Sequence, residues 1–291
     1  MKTDHHQTRS AMQTAGNRVP NAFTVIELLA VIAVVAVIAA TLLPAFANTK
    51  VQSQVYRCQN NLKQLTIAWA QYSGENNDTL VDPDSWVGDS QFVDNFMDWS
   101  SGLYNTDTAP LLNGPIGAYV KSPALFKCPA DKYQSAANPG PRVRSVSMNF
   151  NVGGQGGDVV ENPGDGRVYF GRTGGAQSAG GCTKPSDLNK PSPARIFVIL
   201  DEQADSINNA NFLFYIYFTA GYERWYDLPG SYHNGAGSLS FADGHTEIHK
   251  WLNPTVNPTI YPITYGTTFP WHSVSGKSSD YEWVRDGMPY R

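Results

Sequence analysis

Three acidic side chains that could bind a hard cation follow an apolar stretch late in the chain. Asp201, Glu202 and Asp205 lie in the segment Ile-Leu-Asp-Glu-Gln-Ala-Asp-Ser, at the end of a predicted strand. Calcium prefers carboxylate oxygens, and a loop can present several of them to one ion. The glycine-containing consensus of the common calcium loop is absent, so the alternative is a turn that caps the strand. Calcium at these three residues is the only cofactor that the sequence suggests.

The chain has three cysteines, Cys58, Cys128 and Cys182. They can form at most one intramolecular disulfide, and a bridge from Cys128 to either of the others is compatible with the sequence. No Cys-x-x-Cys pair and no local Cys/His cluster occurs, so we expect no structural zinc site. Cys58 lies on the apolar face of a predicted helix, which favours a small buried hydrophobic side chain.

His233 is followed by nine residues and then by Asp243 and Gly244. An extended chain would hold His233 and Asp243 roughly 30 Å apart, so direct chemistry between them needs a chain reversal. We expect the His233 side chain to form a hydrogen bond with the backbone of a loop. Asp-Gly between two apolar runs predicts a two-residue hairpin turn, with Phe241 opposite Thr246.

The remaining patterns do not predict an enzyme or a nucleic-acid-binding protein. No Ser/His/Asp arrangement occurs in the context of a nucleophile elbow. Carboxylate pairs such as Asp201 and Asp243 are expected by chance among 25 acidic residues. The formal net charge is −4 and the basic residues are scattered, so the chain has no basic surface for nucleic acid.

The elements that must position these residues begin with a polar leader and a hydrophobic segment. Residues 1–22 carry three lysines or arginines against one acidic residue. Residues 23–43 form a nearly unbroken apolar run of roughly 20 residues, which is the length of a membrane-spanning helix. The positive-inside rule places the leader in the cytoplasm and the rest outside. The alternatives are a secretory signal cleaved near Ala45 or Ala47, and a plain signal anchor.

Glu27 is not explained by either alternative, because a carboxylate in an apolar helix costs a few kcal/mol unless it is paired. The segment Ala22-Phe23-Thr-Val-Ile-Glu27-Leu-Leu, followed later by Pro44, resembles the N-terminus of type IV prepilins. That family has a small residue, then Phe-Thr-Leu-Ile-Glu-Leu-Leu, and often a proline in the same helix. This chain departs from the family at Ala22, where glycine is usual, and in its longer leader.

The resemblance implies that prepilin peptidase cleaves between Ala22 and Phe23 and that the new amine of Phe23 is methylated. It also implies that Glu27 pairs with the N-terminal amine of a neighbouring subunit and sets the axial register. An unpaired charge in a low-dielectric layer is costly, so such a pair is physically reasonable. The implied partners are prepilin peptidase, other pilin-like subunits, the inner-membrane assembly machinery and the membrane.

A second resemblance lies at two distant places in the chain. The His-x9-Asp-Gly pattern at His233, Asp243 and Gly244 is similar to the C-terminal signature of a large group of prepilin-like proteins. The same group has a Cys-x-x-Asn-Leu-Lys-Gln-like segment after its membrane helix, which here begins at Cys58. The chain also distantly resembles the major pseudopilins of type II secretion, some of which bind calcium in a C-terminal loop.

Beyond Pro44 the apolar residues recur every three or four positions, which predicts one helix from about residue 23 to residue 73. Its first half is apolar all round and its second half is amphipathic. After residue 74, short apolar runs alternate with turn signals and predict a β-rich head. The strand candidates are residues 142–150, 195–200, 212–218, 237–241 and 246–251.

The expected fold class is α+β: a long N-terminal transmembrane and stalk helix packed on a mainly antiparallel β-sheet head. The expected divisions are a leader at 1–22, the transmembrane and stalk helix at 23–74 and an extracytoplasmic head at 75–291. The chain is then a single-pass membrane protein with a cytoplasmic N-terminus, and its head lies in the periplasm or at the cell surface.

Two functions fit these expectations. The first is a structural subunit of a type IV pilus-like or type II secretion pseudopilus filament. The alternative is a membrane-tethered binding module that captures carbohydrate or protein and uses the prepilin leader for targeting. Loop aromatics can stack on sugars or bind proteins, and the tryptophans in turn-rich segments are Trp86, Trp99, Trp225, Trp271 and Trp283.

Overall fold

A computed structural model of the chain describes residues 24–88, 97–98, 101–134, 140, 142–153, 159–170, 182–204, 206–218, 223–252, 272–273 and 278–291. The side chains of residues 43–48, 159–160, 170, 224 and 272–273 lie outside that description. The chain divides into two units, Met1–Asn48 and Thr49–Arg291.

The longest element is helix α1, Val25–Glu75, which confirms the predicted helix to within two residues at each end. It continues through Pro44 without interruption. Its N-terminal stretch Val25–Leu42 has a mean hydropathy of 2.8 and none of it is buried, and by length and composition it could cross a membrane. A proline inside a helix removes one backbone hydrogen bond but need not end the helix.

From residue 49 onward, α1 has one buried and one exposed face. Leu62 and Leu65 are fully buried, whereas Tyr56 and Ile67 on the other face are 69% and 47% exposed. The buried face packs in one hydrophobic cluster with residues of the sheet, among them Met148. The three-and-four spacing of apolar residues therefore produced the expected amphipathic helix.

The strands in the described part of the chain are β1 Val146–Asn149, β2 Val159–Glu161, β3 Val168–Phe170, β4 Phe197–Asp201, β5 Asn211–Phe212, β6 Arg224–Trp225, β7 Ala236–Phe241, β8 Thr246–Lys250 and β9 His272–Ser273. Five of them form one sheet in the order β5-β1-β4-β7-β8. Strands β1 and β5 are parallel and the other three pairings are antiparallel, so the sheet is mixed but mostly antiparallel. The pairs β2–β3 and β6–β9 form separate two-stranded sheets.

Strand β4 lies at the centre of the sheet and all five of its residues are buried. One hydrophobic cluster contains Val198 and the buried face of α1. A second contains Phe197 and two side chains of helix α3 (Ser279–Asp286), Tyr281 and Val284. Helix α2 is the short segment Ala109–Asn113, and 3-10 turns lie at Leu103–Asn105, Gly117–Tyr119, Pro123–Phe126 and Pro185–Asp187. The part of the chain that the structure describes is therefore α+β, as predicted.

The predicted pairing across the last hairpin was wrong by one residue. Thr246 lies opposite Ser240 rather than Phe241. The loop is longer than two residues, because Phe241 N–H donates to the carbonyl of His245 at 3.0 Å around Ala242, Asp243 and Gly244. Gly244 has φ +89°, so it supplies the residue in left-handed conformation that three-residue hairpin loops require.

The strand predicted at residues 212–218 was also wrong for most of its length, since only Asn211–Phe212 is a strand. The backbone beyond it bonds to side chains instead of to a neighbouring strand. Leu213 N–H donates to Asp227 Oδ2 at 2.6 Å, and Tyr217 N–H donates to the Tyr281 hydroxyl at 2.9 Å. An apolar run alone does not reveal such partners.

Candidate metal centre

Four side chains with metal-binding atoms converge in the interior of the head. Cys58, Cys128, Asp201 and His233 are all buried, and their potential ligand atoms all lie within 4.8 Å of one another. The side chains of Asp201 and His233 are 0% and 1% exposed. Buried charged groups are rare unless they are paired or bind a metal, so the cluster calls for a physical explanation.

Each of the two cysteines comes from a different element. Cys58 lies on the buried face of α1, where helical spacing places it one turn before Leu62. Cys128 follows the 3-10 turn Pro123–Phe126, and its backbone N–H donates to Ser145 Oγ at 2.6 Å. Cys58 is therefore positioned by a helix, and Cys128 by the hydrogen bond of its backbone to Ser145.

The carboxylate comes from the centre of the sheet. Asp201 is the last residue of β4, and its Oδ2 accepts the backbone N–H of Ser238 at 3.0 Å. A Cβ on Gly230 would lie 2.8 Å from Asp201 Cβ, so the loop backbone approaches this carboxylate more closely than a side chain would allow.

The imidazole is held by a tight turn before β7. His233 and Ala236 exchange two backbone hydrogen bonds, at 3.0 and 3.2 Å, around Asn234 and Gly235. Both intervening residues have positive φ, at 54° and 80°, which the asparagine tolerates and the glycine favours. His233 Nε2 faces the cluster, and Nδ1 has no hydrogen-bond partner among the residues that the structure describes.

The four groups contact one another at short distances. Cys58 Sγ lies 3.3 and 3.2 Å from the two carboxylate oxygens of Asp201. Cys128 Sγ lies 3.4 Å from His233 Nε2. His233 Nε2 lies 3.7 Å from Asp201 Oδ2. These contacts link all four groups into one compact cluster.

Burial and mutual contact shift the pKa values of this cluster in different directions. Burial raises the pKa of Cys58 well above its usual range, and the hydrogen bond with Cys128 adds to this. Burial alone would lower the pKa of His233, but hydrogen bonds with Asp201 and Cys128 outweigh it and raise the pKa to about 10. Burial would raise the pKa of Cys128, but hydrogen bonds with Cys58 and His233 lower it. An imidazolium between a carboxylate and an acidified thiol is one way to balance the charge.

Two expectations from the sequence are corrected here. A cluster of Cys and His side chains does exist, although no local sequence motif predicts it. Among the described residues, the polar contacts of the His233 ring are with the side chains of Cys128 and Asp201 and not with backbone. Cys58 and Asp201 are 143 positions apart, and Cys128 and His233 are 105 apart, so no spacing rule joins them. The available signal was that Cys58 and His233 each belong to a recognisable motif without an assigned role.

The three candidate calcium ligands have different surroundings. Asp201 belongs to the cluster, whereas the carboxylate of Glu202 accepts hydrogen bonds from the hydroxyls of Ser147 and Ser206. Burial raises the pKa of Glu202 to about 7 against these bonds. Asp205 lies outside the described residues, so calcium at these three positions stays a prediction.

Asp243 does not contact His233. It serves the hairpin turn, as expected, because its Oδ1 accepts the His245 backbone N–H at 3.1 Å. The same oxygen lies 2.6 Å from His245 Nδ1. The His-x9-Asp-Gly pattern therefore divides into a buried histidine at the cluster and a turn formed by Asp243 and Gly244.

At the other end of the chain, Glu27 caps the first turn of α1. Its Oε2 accepts the backbone N–H and the hydroxyl of Thr24, both at 2.8 Å, and Thr24 Oγ1 accepts the Glu27 N–H at 3.3 Å. This reciprocal arrangement is a capping box. The predicted cleavage pair, Ala22 and Phe23, and the side chain of Pro44 lie outside the described residues.

Searches with protein-family models, among curated proteins and among solved structures found no match to this chain.

Proposed function

We propose that the chain is a pilin-like structural subunit of a type IV pilus-like or type II secretion pseudopilus filament. The observation that carries this proposal is the division of α1: one unbroken helix is apolar and unburied at its N-terminal end and buried against a sheet at its C-terminal end. The proposed role is structural rather than enzymatic.

The exposed end of α1 needs an apolar partner. Val25 and Ile26 are 72% and 78% exposed, and the apolar side chains of Val25–Leu42 have no packing partners within the described chain. Burying one such side chain is worth about 1.5–3 kcal/mol, so the segment is unstable in water and stable in a membrane or against identical segments. A subunit that leaves the membrane to join a filament requires both environments.

Glu27 is suited to the register role that the prepilin resemblance implies. Both hydrogen bonds that it accepts from Thr24 engage Oε2. A carboxylate has about four acceptor positions, so Oε1 can accept the N-terminal amine of a neighbouring subunit. The capping box meanwhile fixes the carboxylate at the N-terminal end of the helix, where that amine would arrive.

The remaining parts of the proposal follow from the same resemblance. Prepilin peptidase cleaves between Ala22 and Phe23, and the amine of Phe23 is methylated. The leader is cytoplasmic, the N-terminal part of α1 spans the inner membrane, and the head is extracytoplasmic. The assembly machinery of the inner membrane then adds the subunit to a filament of pilin-like proteins.

The alternative of a surface binding module gains less support from the described tryptophans. Trp86 and Trp225 are fully buried, and Trp283 stacks on the ring of His249 with centroids 3.8 Å apart. Trp86 and Trp225 belong to the two hydrophobic clusters, and Trp283, on helix α3, packs against the second of them. These side chains therefore do not form an open platform for sugars. Trp99 and Trp271 lie outside the described residues.

The test is filament assembly by the full chain in its native host with two matched substitutions. Glu27→Ala removes the carboxylate and the capping box, whereas Thr24→Ala removes the capping box and keeps the carboxylate. We expect Glu27→Ala to abolish incorporation into sheared filaments and Thr24→Ala to retain most of it. Wild-type incorporation of Glu27→Ala would refute the register role, and absence of the wild-type chain from any filament would refute the proposed function.

A further inference from the structure

We propose that Cys58, Cys128, Asp201 and His233 are the four ligands of one structural zinc-type metal ion that fastens the stalk helix to the head. This inference is independent of filament assembly, because it rests on the interior of the unit Thr49–Arg291 alone.

The spacing of the ligand atoms matches a tetrahedral site. Zinc binds sulfur at about 2.3 Å and nitrogen or oxygen at about 2.0–2.2 Å, so a tetrahedron has edges of about 3.3–3.8 Å. Three of the six ligand pairs lie in or near this range: Cys58 Sγ is 3.2 and 3.3 Å from the two oxygens of Asp201, Cys128 Sγ is 3.4 Å from His233 Nε2, and His233 Nε2 is 3.7 Å from Asp201 Oδ2. All the ligand atoms lie within 4.8 Å of one another, so the remaining pairs need to approach by at most about 1 Å to surround one ion.

The ligand chemistry selects the class of metal. Two thiols and an imidazole suit zinc and related borderline ions, whereas calcium and magnesium require a cage of oxygen atoms. Four protein ligands that are all buried complete a tetrahedron without a water molecule. A closed site of this kind is structural, since a catalytic site keeps one position open.

Groups around the ligands hold two of them in orientation. The backbone N–H of Ser238 donates to Asp201 Oδ2, and the backbone N–H of Cys128 donates to Ser145 Oγ. Hydrogen bonds of this kind, made to the ligand residues by their neighbours, fix the ligand geometry before the ion binds. The metal displaces the protons that the thiols and the imidazole carry in its absence, so binding releases protons to solvent.

The competing chemistry is a disulfide between Cys58 and Cys128, and the surroundings of Asp201 argue against it. Oxidation would remove the thiol hydrogen that Cys58 offers to this buried carboxylate, and a disulfide, unlike a metal ion, supplies no positive charge in its place. A disulfide also gives no reason for His233 and Asp201 to converge on the same point. A divalent ion binds all four groups at once.

The site would join elements that are far apart in the sequence. Cys58 belongs to α1, Asp201 to the central strand β4, and His233 to the turn before β7. A bound ion therefore crosslinks the stalk helix to the sheet in the folded state only. The metal stabilises the head by its affinity for that state.

The first measurement is metal content and thiol state of the full chain, extracted in detergent from membranes of the native host without chelator and with thiols trapped at lysis. We expect about one zinc ion per chain, and we expect Cys58 and Cys128 to resist alkylation until a strong chelator is added. Replacement by cobalt should produce the thiolate charge-transfer and intense visible bands of a tetrahedral site. Cobalt spectra of the wild-type chain do not depend on whether any variant folds.

Matched substitutions identify the ligands. Cys58→Ala and His233→Ala should lower zinc affinity at least about tenfold, since each leaves an incomplete ligand set. Cys182→Ala is the control, because Cys182 is buried in the hydrophobic core and lies outside the cluster. Two findings overturn the proposal: a mass two hydrogens lower that maps to a Cys58–Cys128 disulfide, or reduced metal-free protein without a cobalt charge-transfer band.

Discussion

Cys58 Sγ lies 3.2 Å from Asp201 Oδ2, although 143 positions separate the two residues. This contact joins the buried face of α1 to the end of the central strand β4. Both side chains are buried, so the contact lies in the interior of the head.

The first prediction concerns the N-terminus of the mature protein. Intact mass and N-terminal sequencing of the membrane-extracted chain should give a start at Phe23, with one added methyl group. The physical reason is that assembly through Glu27 needs a free amine close to that carboxylate. A start at Met1, or one after Ala45 or Ala47, would contradict processing by prepilin peptidase and favour the tethered binding module.

The second prediction concerns packing between α1 and the sheet. Leu62 is fully buried, so Leu62→Ala should lower the free energy of unfolding by about 2–5 kcal/mol through lost burial and a cavity. Ile67 lies on the same helix and is 47% exposed, so Ile67→Ala is the matched control with a much smaller effect. Urea unfolding of the full chain in detergent measures both. Equal losses in the two variants would show that the helix does not pack through the Leu62 face.

The third prediction concerns the Asp-Gly part of the His-x9-Asp-Gly pattern. Gly244 has φ +89° and open space around its Cα, so a side chain there meets backbone strain rather than a clash. Gly244→Ala should therefore cost about 1–2 kcal/mol of stability, and Gly244→Asn should cost less because asparagine tolerates this conformation. Zinc content should be unchanged in both variants, since the turn lies outside the cluster. Loss of metal in a folded Gly244→Asn protein would show that the turn and the cluster are coupled.

The fourth prediction concerns the pH dependence of stability. Burial, and secondly the charge of Glu202, raise the pKa of Asp227 well above its ordinary value. The folded state then holds this proton more tightly than the unfolded state, so the contribution of Asp227 to the free energy of unfolding falls as the pH rises above about 4. In Asp227→Asn the free energy of unfolding should fall less steeply as the pH rises, because the amide does not titrate. The amide oxygen can still accept the Leu213 N–H.

A second substitution gives the opposite sign. Slight burial would raise the pKa of Asp243, but hydrogen bonds with His245 outweigh it and lower the pKa. Its contribution to stability is therefore present above the ordinary aspartate pKa and is lost as the pH falls through the lowered value. Asp243→Asn should therefore be destabilising above about pH 4, and that loss should vanish as the pH falls further, whereas the difference between Asp227→Asn and wild type should change as the pH rises above about 4. Unfolding free energies of both variants and of wild type, followed from below pH 4 upward, measure the two effects. Parallel curves would contradict the assignment for Asp227.

Much of the architecture could be read from local patterns. The helix over residues 23–73 was predicted because apolar residues recur at helical spacing, and it is found at Val25–Glu75. Strands β4, β7 and β8 were predicted within one or two residues, because short apolar runs ended at turn residues. Each of these features depends on neighbours within a few positions, which the sequence displays directly.

Other features depend on atoms that are remote in the chain. The hairpin register shifted by one residue because Gly244 extends the loop, and residues 213–218 left the sheet because Asp227 and Tyr281 bind their backbone. Trp225 lies in strand β6 and Trp283 in helix α3, although the sequence around both predicted turn-rich segments.

The sequence by itself determined the apolar helix, its amphipathic continuation and an α+β head, because periodicity and turn chemistry act locally. Only the tertiary structure decided that Cys58, Cys128, Asp201 and His233 meet at one point. No residue among these four is close to another in the chain, and their convergence follows from how the helix packs on the sheet and where β4 ends. Long-range packing brings such groups together, and the order of residues along the chain carries no direct record of it.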